Sequence, residues 1–214
     1  MKPLRRISIT VGGIAALALG VVLVSGSQAA EIAQKVEVSA SGGIKALNSN
    51  DTALPETFVN FPAVAAVTYH LTPVWAIEGE FAWIIPINQS VDLGTLGSPD
   101  RKNPDILTYQ ANVLAKLPLA GRAWTPYLSA GVGAMTFLSN MDADRLPRLS
   151  NSETAFAVNF GAGASYGFGS HWAVRADFRE FAAFPADGTE GLSAANKADP
   201  IWTERGTLGV AYRF

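Results

Sequence analysis

Two short glycine motifs are the first places in this sequence where residue type and spacing could support chemistry. Gly131-Val132-Gly133 and Gly161-Ala162-Gly163 have the spacing that opens a dinucleotide-binding loop. Such a loop needs a third glycine three residues later, and the sequence has Thr136 and Tyr166 at those positions. We therefore expect no nucleotide site and no bound cofactor.

The two histidines and one pair of aspartates are the remaining candidates for catalysis or metal binding. His70 and His171 are the only imidazole bases available to activate a nucleophile. Asp142 and Asp144 could contribute oxygen ligands to calcium, but the rest of the ligand pattern is missing. The chain has no cysteine, so a thiolate metal site and a disulfide framework are excluded. We expect no catalytic residue and no metal site.

Composition limits the class of protein. The chain has 214 residues, of which 49% are hydrophobic and 16% charged, and its formal net charge is -2. These values suit one folded domain, and they exclude a disordered chain and a basic nucleic-acid binder. No nucleic-acid partner is expected.

Residues 1–30 are predicted to be a secretory signal peptide. An uncharged run at 7–24 is followed by small residues, which favour cleavage after Ala29 or Ala30. A retained membrane anchor is the alternative, because the apolar run is near spanning length. Three basic residues precede the run: Lys2, Arg5 and Arg6. Their removal leaves 16 − 3 = 13 basic against 18 acidic residues in a mature domain at 31–214.

After residue 30 the hydrophobic pattern has a period of two, which is typical of half-buried β-strands. The alternation is clearest at 75–85. Phe137 falls out of the pattern, which predicts a bulge or the end of a strand there. Eight strands are predicted, at 35–47, 59–71, 75–85, 107–117, 127–138, 156–168, 172–179 and from 201 to the end.

The connections alternate between short and long, as in membrane barrels with turns at one rim and loops at the other. The short connections are 72–73, 118–123 and 169–170. The long ones are 48–57, 88–104, 139–152 and 185–200. An even number of strands puts both ends of the domain at the short-turn rim, which is periplasmic in a bacterial outer membrane.

The alternating faces distinguish a membrane barrel from a soluble one. A soluble barrel would have to pack every large aromatic side chain of the apolar face inside a lumen that eight strands leave narrow. These aromatic residues are Trp75, Phe81, Trp83, Phe156, Phe160, Tyr166, Phe168, Trp172, Phe178, Tyr212 and Phe214. The opposite face has glycines that leave room for long charged side chains: Gly131, Gly133, Gly161, Gly163 and Gly209. We therefore predict an all-β, eight-stranded antiparallel up-and-down transmembrane β-barrel.

Aromatic residues also gather near the strand ends, as they do in the two interfacial girdles of membrane barrels. The short-turn rim would carry Tyr69, Trp75, Tyr166, Phe168, Trp172, Tyr212 and Phe214. The long-loop rim would carry Phe58, Trp83 and Trp202. The apolar outer face therefore predicts contact with outer-membrane lipid.

The strand registers place ten charged residues on the inward face, with both signs present. Charges of opposite sign in a narrow space should pair, and arginine can bridge several carboxylates. We expect Glu78 and Glu80 to contact some of Lys116, Arg175, Arg179 and Arg205. The predicted lumenal charge network is Glu37, Lys45, Glu78, Glu80, Lys116, Arg175, Asp177, Arg179, Arg205 and Arg213.

The leader, the eight strands, the 126–133 stretch Pro-Tyr-Leu-Ser-Ala-Gly-Val-Gly and the terminus Gly-Val-Ala-Tyr-Arg-Phe at 209–214 together carry a resemblance. The chain resembles the small outer-membrane β-barrel superfamily that OmpA, OmpX and OmpW typify. The resemblance implies export, location in the outer membrane of a Gram-negative bacterium, and insertion by the barrel assembly machinery, which reads a terminal aromatic residue. The corresponding assembly signal here is Leu208, Val210, Tyr212 and Phe214.

The superfamily shares an architecture and not a chemistry, so three functions stay open. The preferred one is a non-enzymatic surface barrel that stabilises the envelope or presents its long loops to an unknown ligand. The alternative is a narrow channel for small or apolar solutes, as in OmpW-like proteins. An outer-membrane lipid-modifying enzyme is the third, and neither histidine shows the His-x-Ser arrangement of the lipid A deacylases.

Overall fold

The computed structural model describes residues 35–48, 57–90, 100–119, 123–142, 144, 148–186 and 200–214. The predicted signal peptide at 1–30 and its cleavage positions lie outside these residues. Within them, no helix has the length and apolarity needed to span a membrane.

The described chain contains ten β-strands, of which eight form a closed barrel. Each barrel strand pairs antiparallel with its neighbours in the order β1-β10-β9-β8-β7-β6-β3-β2, and β10 closes against β1. The strands are β1 (Val36–Asn48), β2 (Thr57–His70), β3 (Trp75–Pro86), β4 (Gln89–Ser90), β5 (Asp100–Arg101), β6 (Ile106–Lys116), β7 (Trp124–Phe137), β8 (Glu153–Phe168), β9 (Trp172–Phe184) and β10 (Ile201–Arg213). The predicted fold class is confirmed.

Three barrel strands extend three or more residues beyond a predicted end. β7 begins at Trp124, β8 begins at Glu153, and β9 continues to Phe184. Cross-strand pairing explains the extensions, since Trp124 pairs with Tyr166 and Phe184 pairs with Phe156. Strand ends are set by partners on the neighbouring strands, which a single stretch of sequence does not contain.

Phe137 is the last residue of β7, and the alternative of a bulge is wrong. The β6–β7 pairing runs without interruption from Ile106 with Phe137 to Lys116 with Tyr127. Phe137 lies an even number of residues from the other inward residues of β7, so its side chain points into the lumen, where it is 2% exposed. Its apparent break in the pattern arises because a large aromatic residue occupies the inward face.

The outward face of the barrel is mostly apolar, with Glu180 and Glu204 as outward-facing exceptions, and aromatic side chains cluster at its short-turn rim. The Trp172 and Tyr212 rings lie 5.0 Å apart, and the Tyr212 and Phe214 rings 4.9 Å apart. Trp124, which lies outside the predicted strand and was not predicted in this girdle, contacts Tyr166 with a ring separation of 4.9 Å. The rim residues Trp83 and Trp202 at the opposite end are also exposed, whereas the side chain of Phe58 lies outside the described part of the chain.

The long-loop rim carries its own local structure. β4 and β5 pair with each other and extend the loop between β3 and β6. In the loop between β7 and β8, Asn140 and Leu149 form an isolated antiparallel bridge. Lys102 connects the two loops, because its N–H donates to the carbonyl of Asp144 at 2.9 Å. These contacts hold parts of both loops against the mouth of the barrel.

Candidate functional site: the barrel interior

Glu78 lies at the centre of a network of charged side chains in the barrel interior. Its Oε2 accepts a hydrogen bond from Arg175 Nη2 at 2.8 Å, and its Oε1 accepts one from Arg179 Nη2 at 2.8 Å. Thr68 and Asn112 each donate a further bond of 3.1 Å to the same carboxylate. Two guanidinium groups and two neutral donors therefore satisfy this buried charge.

The second carboxylate of β3, Glu80, forms a bidentate pair with Arg205. The Arg205 Nη1 and Nη2 atoms donate to the two Glu80 oxygens at 2.8 and 2.7 Å. Arg179 Nη1 lies 3.3 Å from Glu80 Oε2, and Arg179 Nε donates to Asp177 Oδ1 at 2.8 Å. The Tyr127 hydroxyl donates to Asp177 Oδ2 at 2.8 Å. Arg179 thus joins the Glu80 pair to Asp177.

Glu37 forms the part of the network nearest the short-turn rim. It accepts a hydrogen bond from Arg213 Nε at 2.7 Å and a longer one from Arg175 Nη1 at 3.3 Å. The Nε2 atom of His70 lies 3.8 Å from the same carboxylate. Lys116 Nζ lies 2.9 Å from His70 Nδ1, and since an ammonium has only donors, the imidazole nitrogen accepts.

The network joins strands on opposite sides of the barrel. In the ring of strands, β3 and β9 are separated by three strands in either direction, so they lie opposite each other. The contacts of Glu78 with Arg175 and Arg179 therefore cross the interior from one wall to the other. Removing one partner of a buried pair costs about 3 to 5 kcal/mol, because the other charge is left buried.

Arginine and lysine differ in this interior. Each of the four inward carboxylates contacts at least one arginine, and each inward arginine contacts at least one carboxylate. Neither lysine lies within 4.0 Å of a described carboxylate, although Glu80 acts on Lys45 and Glu37 on Lys116 at longer range. Lys116 contacts His70, and Lys45 Nζ lies 4.9 Å from the centre of the Phe181 ring. The described charge network has six basic and four acidic residues, an excess of two positive charges when both lysines are protonated.

All ten residues of the predicted charge network lie on the inward side of their strands, but their contacts differ from one another. Glu78 and Glu80 contact Arg175, Arg179 and Arg205, whereas Lys116 does not reach either carboxylate. The sequence could not separate Lys116 from the arginines, because the pairing depends on the stagger of the strands around the barrel.

The long-loop end of the lumen is mainly apolar, which corrects the expectation of an inward face of charged residues and glycines. Lys45, Asn60 and Thr203 are buried at the same end. Leu149, which comes from the loop after β7, is 1% exposed and packs into this end. The cluster consists of Val64, Ala82, Ile84, Ile106, Met135, Phe137, Leu149, Ala155, Ala157, Phe181 and Ala183. We call it the apolar plug. Its members on the strands alternate in step with the inward charged residues, so the sequence pattern already placed them on the inward face. Because they are apolar, the pattern did not distinguish them from residues that face lipid.

The short-turn end of the lumen contains a cavity of about 410 Å³. Its walls include Glu37, His70, Lys116, Arg175 and Arg213. A second cavity of about 20 Å³ lies beside Glu78 and Glu80 and is large enough for roughly one water molecule. From the short-turn rim to the loop rim, the interior therefore has three levels: an open cavity, the charge network and the apolar plug.

Inward-facing glycines make room for large neighbouring side chains in the lumen. These neighbours are charged at some positions and neutral at others. A Cβ atom at Gly161 would lie 2.8 Å from Cγ of Arg179. A Cβ atom at Gly163 would overlap the ring of Tyr127. At Gly131 the neighbours are neutral amides of the β6 and β8 strands. A larger side chain at these positions would collide with its neighbours, which explains why glycine occurs beside the charge network.

The other residues considered for chemistry do not assemble into a catalytic or metal site. The glycine motifs lie inside β7 and β8 and form no phosphate-binding turn. His171 contacts Ser170 at 2.7 Å in an exposed turn, and no described carboxylate contacts its ring. Asp144 forms an ion pair of 3.2 Å with Lys102. In the described ranges, no three His, Cys, Asp or Glu residues are grouped for metal binding.

The four residues of the predicted assembly signal lie along the outer side of the closing strand. Leu208 and Phe214 are 63% and 64% exposed. The N–H of Phe214 donates to the carbonyl of Val36 at 2.9 Å, so the last residue still pairs with β1. Val210 and Tyr212 lie between them on the same face. These positions make the aromatic terminus accessible at the short-turn rim.

A closed antiparallel barrel with an apolar outer face and a charged interior is a membrane-spanning β-barrel, because a soluble barrel has the opposite arrangement. The model of the outer membrane protein beta-barrel domain family matches residues 14–214. The chain belongs to this family, which places it in the outer membrane of Gram-negative bacteria.

Solved structures show the same fold at low sequence identity. The N-terminal β-barrel domain of Pseudomonas aeruginosa OprF is 16% identical, with a TM-score of 0.50, and the match covers 85% of this chain and 98% of that chain. Neisserial surface protein A is 12% identical, with a TM-score of 0.56, over 84% of this chain and 97% of that chain. No curated protein matches the chain.

Proposed function

We propose that this protein is a non-conducting, non-enzymatic outer-membrane barrel that stabilises the envelope and presents its long loops at the cell surface. The single observation that supports this function is the obstruction of the lumen at two levels. The charge network joins opposite walls, and the apolar plug fills the long-loop end. A wide aqueous pore has no path through these two levels.

The arrangement of the loops agrees with a surface role. Contacts between the loops, including the Lys102–Asp144 ion pair, order parts of both loops at the barrel mouth. Leu149 anchors one of them into the apolar plug. A rigid barrel that fixes the positions of its loops is a scaffold for binding at the cell surface.

Planar bilayer recording tests the closed lumen directly. The purified barrel should give no large, steady, porin-like conductance, because ions would have to break buried ion pairs and enter an apolar segment. A porin inserted under the same conditions serves as the positive control. A wide and stable pore in the unmodified protein would overturn the proposal and favour the channel.

A narrow channel for apolar solutes is the second candidate, and one observation favours it. The long-loop end of the lumen is lined by apolar side chains such as Ile84, Met135 and Phe181, which could accept an apolar solute. The two functions differ in one cheap assay. A channel should speed uptake of an apolar solute into proteoliposomes, whereas the closed barrel should leave uptake at the level of empty vesicles.

The proposed absence of enzymatic activity rests on the histidines. His70 is held between Lys116 and Glu37 inside the lumen, away from lipid. His171 has a hydroxyl partner in Ser170 but no described carboxylate to orient it. Release of fatty acid from lipid by the purified barrel would restore the enzyme hypothesis.

Deleting Phe214 should reduce the amount of assembled barrel in cells while leaving export unchanged. The reason is that Phe214 is an exposed terminal aromatic residue on the strand that closes the barrel, where the assembly machinery is proposed to bind. The measurement is the fraction of protein that migrates faster on a gel when unheated.

Arg213→Gln provides the comparison for this deletion, because Arg213 points inward to Glu37 and not to the outer face. It should change assembly less than the deletion does. Equal amounts of heat-modifiable protein from the full chain and the deletion variant would argue against the assembly signal.

A further inference from the structure

The cavity at the short-turn rim has the size and composition of a small-molecule site. Its volume of about 410 Å³ falls in the range of ligand pockets, roughly 300 to 1,000 Å³. Pro73 and Ser170, which belong to short turns, are part of its wall, so the cavity opens at that rim. The charge network of Arg175 and Glu78 forms its inner end.

The wall of this cavity has more basic than acidic side chains. Its wall contains Lys116, Arg175 and Arg213 but only one carboxylate, Glu37. That carboxylate already accepts hydrogen bonds from both arginines. Lys116 forms a hydrogen bond with His70, and Glu37 acts on it only from beyond ion-pair distance. An ammonium group that faces an open cavity without a carboxylate in contact with it attracts an anion.

The uncharged part of the wall has two kinds of surface. The hydroxyl groups of Thr125, Ser165 and Ser170 can donate hydrogen bonds, and Ser165 already accepts one from Arg213 Nη2 at 3.2 Å. Leu114 and Pro118 contribute apolar surface beside Lys116. Donors and cations together suit an oxyanion, and the adjoining apolar surface suits an organic body.

We propose that this cavity binds a small organic anion, with its carboxylate or phosphate group against Lys116 and Arg213 and its apolar part against Pro118, the exposed apolar residue of the wall. Lys116 supplies the charge that the protein leaves unpaired. Arg213 supplies a second cation, whose side chain is 30% exposed and therefore accessible to a ligand. Carboxylates and phosphate monoesters share the required chemistry, and probes of each kind separate them.

Titration by NMR of the purified, refolded ¹⁵N-labelled barrel in detergent micelles tests this site. Benzoate should produce saturable shifts of the backbone amide signals of Lys116, Ser165 and Arg213, and phenyl phosphate should act at the same signals if phosphate is accepted. Benzamide, which has the same shape without the charge, should leave these signals unchanged. Binding by benzamide as strong as by benzoate would overturn the assignment of an anion site.

Lys116→Met should weaken benzoate binding by about tenfold or more, the effect of losing one charge-assisted hydrogen bond. Lys35→Met is the matched control, because Lys35 is exposed just before β1 at the same rim but is not part of the cavity wall. It should change the affinity less than twofold. Lys116→Arg, which keeps the charge, should retain most of the binding.

Three further results would overturn the proposal: no saturable shift with benzoate or phenyl phosphate, equal affinity in the Lys116→Met barrel, or an equal loss in the Lys35→Met barrel. The last would indicate accumulation of anions at a basic rim. Lys116→Gln is the second variant if Lys116→Met does not give a heat-modifiable barrel, and the same loss is expected of it. Because Lys116 has no described carboxylate partner, neither change leaves a buried acid unpaired.

Discussion

Replacing Glu78 and Glu80 together by alanine should lower the free energy of unfolding of the barrel by about 3 to 5 kcal/mol, the cost of breaking a buried ion pair. Among the described carboxylates, Arg205 would lose its ion-pair partner Glu80, and Arg179 would keep Asp177. Urea titration in detergent micelles, followed by the unheated gel band, measures the change. The loss is smaller where trapped water reaches the unpaired guanidinium groups.

The matched control for this variant is Glu180→Ala with Glu204→Ala. These two glutamates also lie on barrel strands, and they pair directly across β9 and β10. They face outward, and neither forms an ion pair with a residue in the described part of the chain. Removing two neighbouring like charges should leave the stability unchanged or raise it slightly. An unaltered urea midpoint in the Glu78 and Glu80 variant would show that the network does not hold the barrel together.

Replacing Phe137 by alanine should lower the free energy of unfolding by about 3 to 5 kcal/mol, as is typical for removing a buried phenylalanine. Phe137 is 2% exposed inside the apolar plug, so its removal leaves a cavity among rigid strands. The same urea titration measures the loss. The transfer of buried side-chain surface and the unfilled cavity both contribute to it.

Phe160→Ala is the comparison for Phe137→Ala, because Phe160 faces outward and is 45% exposed. Lipid or detergent chains can fill the space that its ring leaves, so the loss should be clearly smaller than at Phe137. Equal losses at the two positions would indicate that the apolar plug is not tightly packed.

The charge network and the apolar plug lie one after the other along the lumen, so conductance measurements on variants of each test the proposed function. The Glu78 and Glu80 variant retains the plug around Ile84 and Phe137, and Phe137→Ala retains the charge network. Each variant alone should therefore conduct little. A barrel carrying all three substitutions should conduct more steadily than either, provided that it still gives a heat-modifiable band.

The sequence by itself determined the fold of this protein and the direction in which most side chains point. Successive residues of a strand face opposite sides, so one stretch such as 75–85 already separates Glu78 and Glu80 from Trp83. The presence of large aromatic residues on the outer face then required lipid outside and a narrow lumen inside. No knowledge of strand pairing is needed for either step.

Only the tertiary structure decided which inward residues meet. The pairing of Glu80 with Arg205, and of Lys116 with His70 instead of a carboxylate, depends on how far each strand is staggered against the next around the closed ring. The apolar plug was concealed for a related reason. Phe137 and Phe181 have the inward parity, but an apolar side chain fits lipid and a packed lumen equally well, so its residue type does not reveal its surroundings. The excess cation at the short-turn cavity likewise becomes visible only after every carboxylate has been matched to an arginine in three dimensions.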